Sequence, residues 1–262
     1  MVNRVSAATL TFDPTNTETT KTKSARVRVL EMTQLSMEQI NDGQSSETMV
    51  LALPKGRILK AIRPILKAAG MEPEDGFFDE SDRRLRFTTE AKGVDVIRVR
   101  SFDVATFIAF GAAHMGVAGS DVLMEFDHPE IYAPVDLGVG GCRMVVASSI
   151  EAAEQDDHRS WSHVRVATKY PNVTKKHFAT RGVQAECIKL NGAMELAPGL
   201  GLCRRIVDLV ETGSTLKANG LVEVEEIAQI SSRFVVNRAA WKTRPDEIGQ
   251  FVEKIRDAVH GG

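Results

Sequence analysis

The sequence predicts an α/β protein whose two lobes face each other across a cleft. Three observations carry this. Short apolar strands alternate with segments of helical period from Met49 onward. Several of those strands end in a basic or hydroxyl-rich turn that opens a helix. A run of glycines, Gly138-Val-Gly-Gly141, interrupts two apolar strands near the middle of the chain, as a hinge or a backbone close to a ligand requires. At 262 residues with 43% hydrophobic content, the chain can bury one large core or two smaller ones. The formal net charge of −2 supplies no field to recruit nucleic acid or an anionic membrane, so any anion site is local. Cys142, Cys187 and Cys203 are odd in number and form no Cys-x-x-Cys pair, which fits a reducing cytoplasm rather than a disulfide or zinc framework. The six histidines show no metal spacing, and no apolar run is long enough to span a membrane.

Residues 1–47 are rich in Thr, Ser and Glu and lack the apolar core of a secretory signal. They read as a disordered extension without chemistry.

The first lobe is expected over residues 48–140 plus 222–262. Met49–Leu53 is a compact strand. Pro54-Lys55-Gly56-Arg57 follows, then Ile58, Leu59, Ile62, Ile65 and Leu66 recur at helical spacing up to Gly70. Lys55 and Arg57 therefore stand at the carboxyl edge of a sheet beside a helix start. Open α/β sheets bind ligands there and a cation pair suits phosphate, although a solvated basic turn has the same composition. Ser81–Phe87 reads as a strand with Arg83, Leu85 and Phe87 on one face. Arg83 on an apolar face either touches a ligand or pairs with Asp79 or Asp82. Val94–Arg100 is the next strand, followed by a Ser101-capped helix over Phe102–Phe110. Arg100 points at the cleft rim or is a plain exposed strand end. Ala113–Gly119 leads to Ser120 as a cap, with Gly119 as a further anion cradle, Asp121 favouring the helix dipole, and His114 a loop or core-edge residue. At the far end, Leu221–Ile230 and Arg233–Asn237 read as strands returning to this lobe. The stretch from Pro245 to Val259 is an amphipathic helix with Ile248, Phe251, Val252, Ile255 and Val259 on one stripe.

The second lobe is expected over residues 141–221. Arg143–Ala147, Val164–Thr168 and Ala185–Leu190 are strands, Glu151–Ser160 a polar surface connection, and Met194–Leu202 a helix kinked or restarted at Pro198. Lys169 is a third strand-end cation. The lobe ends in its most informative stretch, Ile206-Val-Asp-Leu-Val-Glu-Thr-Gly-Ser-Thr-Leu216. An apolar run, read as a buried parallel strand, turns through Gly and hydroxyl residues into a short helix ending at Asn219-Gly220. Thr212, Ser214 and Thr215 offer hydroxyls, and Gly213 lets backbone come close to an anion. Asp208 and Glu211 would repel a phosphate but accept hydrogen bonds from sugar hydroxyls, or bind Mg²⁺. The composition fits a phosphorylated sugar, and it also fits an ordinary turn.

Glu195-Leu-Ala-Pro-Gly-Leu-Gly201 followed by Ile206–Leu216 closely resembles the signature of ATP phosphoribosyltransferase, with Cys203 where the family has another small residue. The resemblance runs from about Met49 to the C-terminus. It implies a two-lobed, periplasmic-binding-protein-like fold and the first reaction of histidine biosynthesis. In that reaction adenine N1 of ATP attacks the anomeric carbon of 5-phosphoribosyl 1-pyrophosphate and pyrophosphate leaves. It further implies Arg57, Arg83 and Arg100 as catalytic arginines, the last two on the leaving group. Lys55, Gly56, Arg57, Gly119 and Lys169 are assigned to ATP and pyrophosphate. Asp208, Glu211, Thr212, Gly213, Ser214 and Thr215 are assigned to the phosphoribosyl group. Mg²⁺ is expected, held mainly by substrate phosphates. Only about forty residues follow the phosphate loop, which resembles the family's short form. Short-form enzymes work as homo-oligomers with a separate regulatory subunit similar to histidyl-tRNA synthetase. A non-catalytic two-lobed binding protein is the alternative; such proteins normally carry a secretory signal.

Overall fold

The computed structural model describes residues 48–155 and 162–261. The expected extension over residues 1–47, and the latter part of the connection after Ser149, lie outside them. The structure is mixed α/β, built on two sheets.

The first sheet comprises β1 (Met49–Pro54), β2 (Arg86–Thr88), β3 (Val94–Val99), β4 (Met115–Gly119), β5 (Ile131–Asp136) and β11 (Ser232–Asn237). Its order is β2-β3-β1-β4-β11-β5, with β1 parallel to β3 and β4, and β11 antiparallel to both its neighbours. Gly56, at φ 90 and ψ −143, turns the chain out of β1 with a backbone that only glycine adopts readily. The turn leads into helix α1 (Arg57–Ala68), whose Leu59, Ile62 and Leu66 are buried. They share a core with Ile248, Val252 and Ile255 of helix α8 (Pro245–His260). Each such side chain contributes roughly 1.5–3 kcal/mol by leaving water. On another part of the sheet lies helix α2 (Ser101–Ala109). Gly116 on β4 permits this approach, since a Cβ there would lie 2.6 Å from the Ala52 carbonyl oxygen and 2.7 Å from Ile108 Cδ1. Helix α3 (Ser120–Phe126) follows β4 directly. Ser101 and Ser120, expected as caps, are instead the first residues of their helices, and the cap positions fall one residue earlier at Arg100 and Gly119.

The second sheet comprises β6 (Cys142–Ser149), β7 (His163–Thr168), β8 (Gln184–Lys189), β9 (Arg205–Val210) and β10 (Leu221–Ile230) in the order β10-β6-β9-β7-β8. Strand β9 is parallel to β7 but antiparallel to β6, so the expected parallel strand is parallel on one side only. Helix α4 (Ile150–Gln155) follows β6, helix α5 (Pro171–Ala179) follows β7, helix α6 (Leu196–Gly199) precedes β9, and helix α7 (Ser214–Ala218) follows it.

Three expectations change. Leu221–Ile230 does not return to the first sheet; it pairs antiparallel along β6 with two register shifts. The turn at Gly220 lays it directly on β6's open edge, and the return comes only at Ser232. Ser81–Phe87 is a strand only from Arg86, because the preceding residues wrap around the Arg98 side chain. The helix expected over Met194–Leu202 is the single turn α6, broken by Pro198 and by Gly201 at φ +73.

The chain crosses between the sheets at Gly138–Gly141 and at Ser231. Gly138 and Gly140 take φ of +64 and +69. The two crossings are tied together: Leu137 N donates to the Ser232 carbonyl and Ser232 N to the Val139 carbonyl, each at 2.9 Å.

Candidate active site

The parallel strands deliver their carboxyl ends, and the side chains that follow them, to the space between the sheets. Lys55 after β1, Arg100 after β3, Lys169 after β7 and Lys189 at the end of β8 line one cavity of about 780 Å³. Lys189 was not singled out from the sequence, although it ends its strand as Lys169 follows its own. Lys169 Nζ sits 4.1 Å from the centroid of the Phe102 ring, a cation–π contact that leaves its charge facing the cavity.

Beside it, β9 and the turn after it enclose a second cavity of about 310 Å³, lined by Asp208, Glu211, Thr212, Gly213, Ser214 and Thr215. Gly213 is left-handed at φ 76 and lies beneath α7. The Thr212 and Ser214 hydroxyls are 3.0 Å apart, and both residues and Thr215 are exposed. Arg57 reaches across from α1, and its Nη1 donates to Glu211 Oε2 at 2.5 Å. Asp208 accepts from the Leu209 N–H at 2.8 Å. Burial pushes its pKa up to about 6; Glu195, on the same cavity, adds to the rise, while the Leu209 hydrogen bond and Lys169 oppose it.

Arg83 stands elsewhere. It is exposed, pairs with neither Asp79 nor Asp82, and lines a cavity of about 990 Å³ with Lys55 and Gly56. Asp79 accepts instead from Ser81, and Asp82 from Arg84. Lys55 thus joins the Arg83 cavity to the Arg100 cavity, whereas Arg57 belongs to the hydroxyl loop. The segment bearing Arg83 is held by Arg98, 7% exposed, whose guanidinium donates to the carbonyls of Phe77, Asp79, Asp82 and Arg84. Sequence reading passed over Arg98. A charged residue alternating with Val96 and Val94 on a strand was the available signal.

Gly119 is no free anion cradle. It is buried, and a Cβ there would lie 2.1 Å from the Asp121 carboxylate, which would repel an anion. Asp121 accepts from the Tyr170 hydroxyl at 2.8 Å, and burial drives that phenol far above its ordinary pKa. Glu125, also on α3, accepts from the N–H groups of Asn172 and Val173 at 2.9 and 3.0 Å, capping α5 with a carboxylate. These two contacts link the sheets on the α3 side. His114 is a core-edge residue as expected, its Nδ1 accepting from Val50 N at 3.1 Å.

Comparison with known proteins agrees with the resemblance. A family model described as HisG, ATP phosphoribosyltransferase, matches residues 100–257. The chain is 66% identical over 215 residues to the ATP phosphoribosyltransferase of Paramagnetospirillum magneticum, covering 82% of this chain and 98% of that one. It is 63% identical over 213 residues to that of Rhodospirillum rubrum, covering 81% and 94%. A solved ATP phosphoribosyl transferase (HisG:HisZ) complex from Thermotoga maritima superposes with a TM-score of 0.69 at 34% identity, over 82% of this chain and 98% of that one. The fold is therefore the two-lobed, periplasmic-binding-protein-like arrangement. The chain belongs to the ATP phosphoribosyltransferase family, the enzymes that join ATP to 5-phosphoribosyl 1-pyrophosphate in the first step of histidine biosynthesis.

Proposed function

We propose that the Glu211–Thr215 turn holds the 5-phosphate of phosphoribosyl pyrophosphate, with Asp208 and Glu211 on the ribose hydroxyls. The observation that carries this is the turn itself: exposed hydroxyls around a left-handed Gly213, with an arginine from the other lobe alongside. Arg83 and Arg100, whose cavities share Lys55, take the pyrophosphate and the triphosphate of ATP, with Arg57 reaching the leaving group from beside the hydroxyl turn; Lys169 and Lys189 extend that cationic wall. As adenine N1 attacks, the bond from the anomeric carbon to pyrophosphate oxygen breaks and negative charge builds on the leaving group. Arginines aimed at that charge stabilise it, and the phosphate turn fixes the far end of the ribose. Adenine N1 is unprotonated near neutral pH, so the attack requires no general base.

Mg²⁺ suits this donor set as a passenger on the substrate. Among the described residues no cluster of three or more His, Cys, Asp or Glu could hold a metal, while Asp208 and Glu211 offer carboxylates beside the sugar. When bound, the ion would neutralise part of the pyrophosphate charge. We further propose that the chain is a cytoplasmic, short-form catalytic subunit, itself oligomeric, with a HisZ-like regulatory partner. The HisG:HisZ complex of the Thermotoga relative supports the partner. No described helix is long and apolar enough to cross a membrane.

The double variant Thr212→Ala, Thr215→Ala tests the loop assignment. Phosphoribosyl pyrophosphate binding should weaken greatly with the fold retained, and normal turnover would refute the assignment. Phosphoribosyl-ATP formation followed by absorbance, with and without a HisZ-like subunit, measures how far the partner matters.

A further inference from the structure

We infer that Arg98 is a positioning residue for Arg83, setting the main chain on which that arginine reaches the pyrophosphate leaving group. The inference rests on the assignment of Arg83 proposed above.

Arg98 lies on β3, and its guanidinium is buried beneath the loop that precedes β2. Its partners among the described residues are main-chain carbonyls. Nη1 donates to Phe77 O and Asp79 O, both at 2.9 Å. Nη2 donates to Asp82 O and to Arg84 O, the latter at 3.1 Å. One nitrogen thus bridges the carbonyls of the residues immediately before and after Arg83. The Arg98 backbone N–H adds a bond to Leu85 O at 2.8 Å. Only a planar fork with several fixed donors can hold that many carbonyls at once; an ammonium offers its donors from one point. The aromatic floor keeps the fork in place, with Phe87 5.0 Å and Phe77 5.9 Å from the guanidinium carbon. Arg83 itself carries no hydrogen bond or ion pair to a described residue, so its direction is inherited from this main chain. A loop that drifts by about 1 Å loses on the order of 100-fold in rate when it carries a group aimed at the reacting centre.

The test is a double-variant cycle on the full chain, read as kcat and KM for phosphoribosyl-ATP formation, with melting temperature alongside. Arg98→Met should lower kcat about 10- to 100-fold while KM for ATP moves less than about threefold. Adding Arg98→Met to Arg83→Ala should change kcat little beyond Arg83→Ala alone, because the first residue acts through the second. Arg98→Lys, which keeps the stem and the charge, should show the same dependence and carries the cycle if Arg98→Met does not fold. If the Arg98 losses multiply fully with Arg83→Ala, or if Arg98 variants melt lower at unchanged kcat, the positioning role is wrong. Arg83→Ala at wild-type kcat would instead overturn the leaving-group assignment, and the inference with it.

Discussion

Arg57 Nη1 and Glu211 Oε2 meet at 2.5 Å, joining the start of α1 in one lobe to the turn after β9 in the other. Both side chains are largely exposed, at 84% and 55%. An ion pair so open to water adds little to stability. Its place between the hydroxyl turn and the cationic wall suits it to be broken and remade around substrate.

Arg57→Ala should therefore shift stability by less than about 1 kcal/mol. It should lower kcat/KM on the order of 100-fold, as loss of a charge-stabilising donor does. Thermal melting and initial rates measured on one preparation separate the two effects.

Asp208 makes the site and the fold depend on pH in opposite directions. Burial raises its pKa from 3.8 to about 6 in the folded chain. Between those values the folded state holds the proton that the unfolded state has lost, so this group's contribution to stability declines as pH rises through the window. Asp208→Asn should melt higher than the parent at pH 8, by on the order of 1–2 kcal/mol, and about the same at pH 4. The ionised carboxylate is the form that accepts from ribose hydroxyls, so kcat/KM for phosphoribosyl pyrophosphate should fall below about pH 6. The asparagine variant should lack that acid limb.

Glu125 caps α5 from the opposite lobe. Glu125→Ala leaves the buried N–H of Val173 and the partly exposed N–H of Asn172 without their acceptor and should cost about 1–3 kcal/mol. A lower urea midpoint at unchanged slope is the expected result; an unchanged midpoint would show that water replaces the carboxylate.

Gly116→Val drives side-chain atoms into the Ala52 carbonyl and Ile108. Overpacking of this kind costs about 1–3 kcal/mol. The residue lies at the sheet–helix contact rather than among the cleft-lining groups, so kcat per folded molecule should stay at the parent value.

What the sequence made legible was local. The strand, glycine turn and helix around Lys55-Gly56-Arg57 could be read because apolar period and backbone punctuation lie within a few residues. The glycines at 138 and 140 could be read because a left-handed backbone selects for glycine. The Glu211–Thr215 turn was read the same way, and its helix ends as expected at Asn219-Gly220. Features decided by distant partners were not legible. Leu221–Ile230 has a good strand pattern whichever sheet it joins, and only the open edge of β6 decides. Arg83 lies on a loop because Arg98, fifteen residues later, collects the carbonyls that a strand would have used. Asp121 read as a first-turn acid favouring the helix dipole, and Glu125 gave no local signal at all, until Tyr170 and the start of α5 arrived beside them. The acid pair Asp208 and Glu195 was visible as residues, but not the burial that raises the first of them.

The place of β11 between β4 and β5 has a consequence for how the molecule comes into being. β4 and β5 do not touch as paired strands; each is bonded to β11. During synthesis β5 emerges at residues 131–136, but the strand that anchors it emerges about a hundred residues later, after every strand of the second sheet. The first lobe to be translated is thus the last to close. Until then β4 presents an unpaired edge, and the exit tunnel releases a nearly finished second lobe beside an unfinished first one. Long-range pairing of this kind is slow and leaves edges exposed to other chains. The interval before residue 237 appears is when the nascent protein most needs protection from its neighbours.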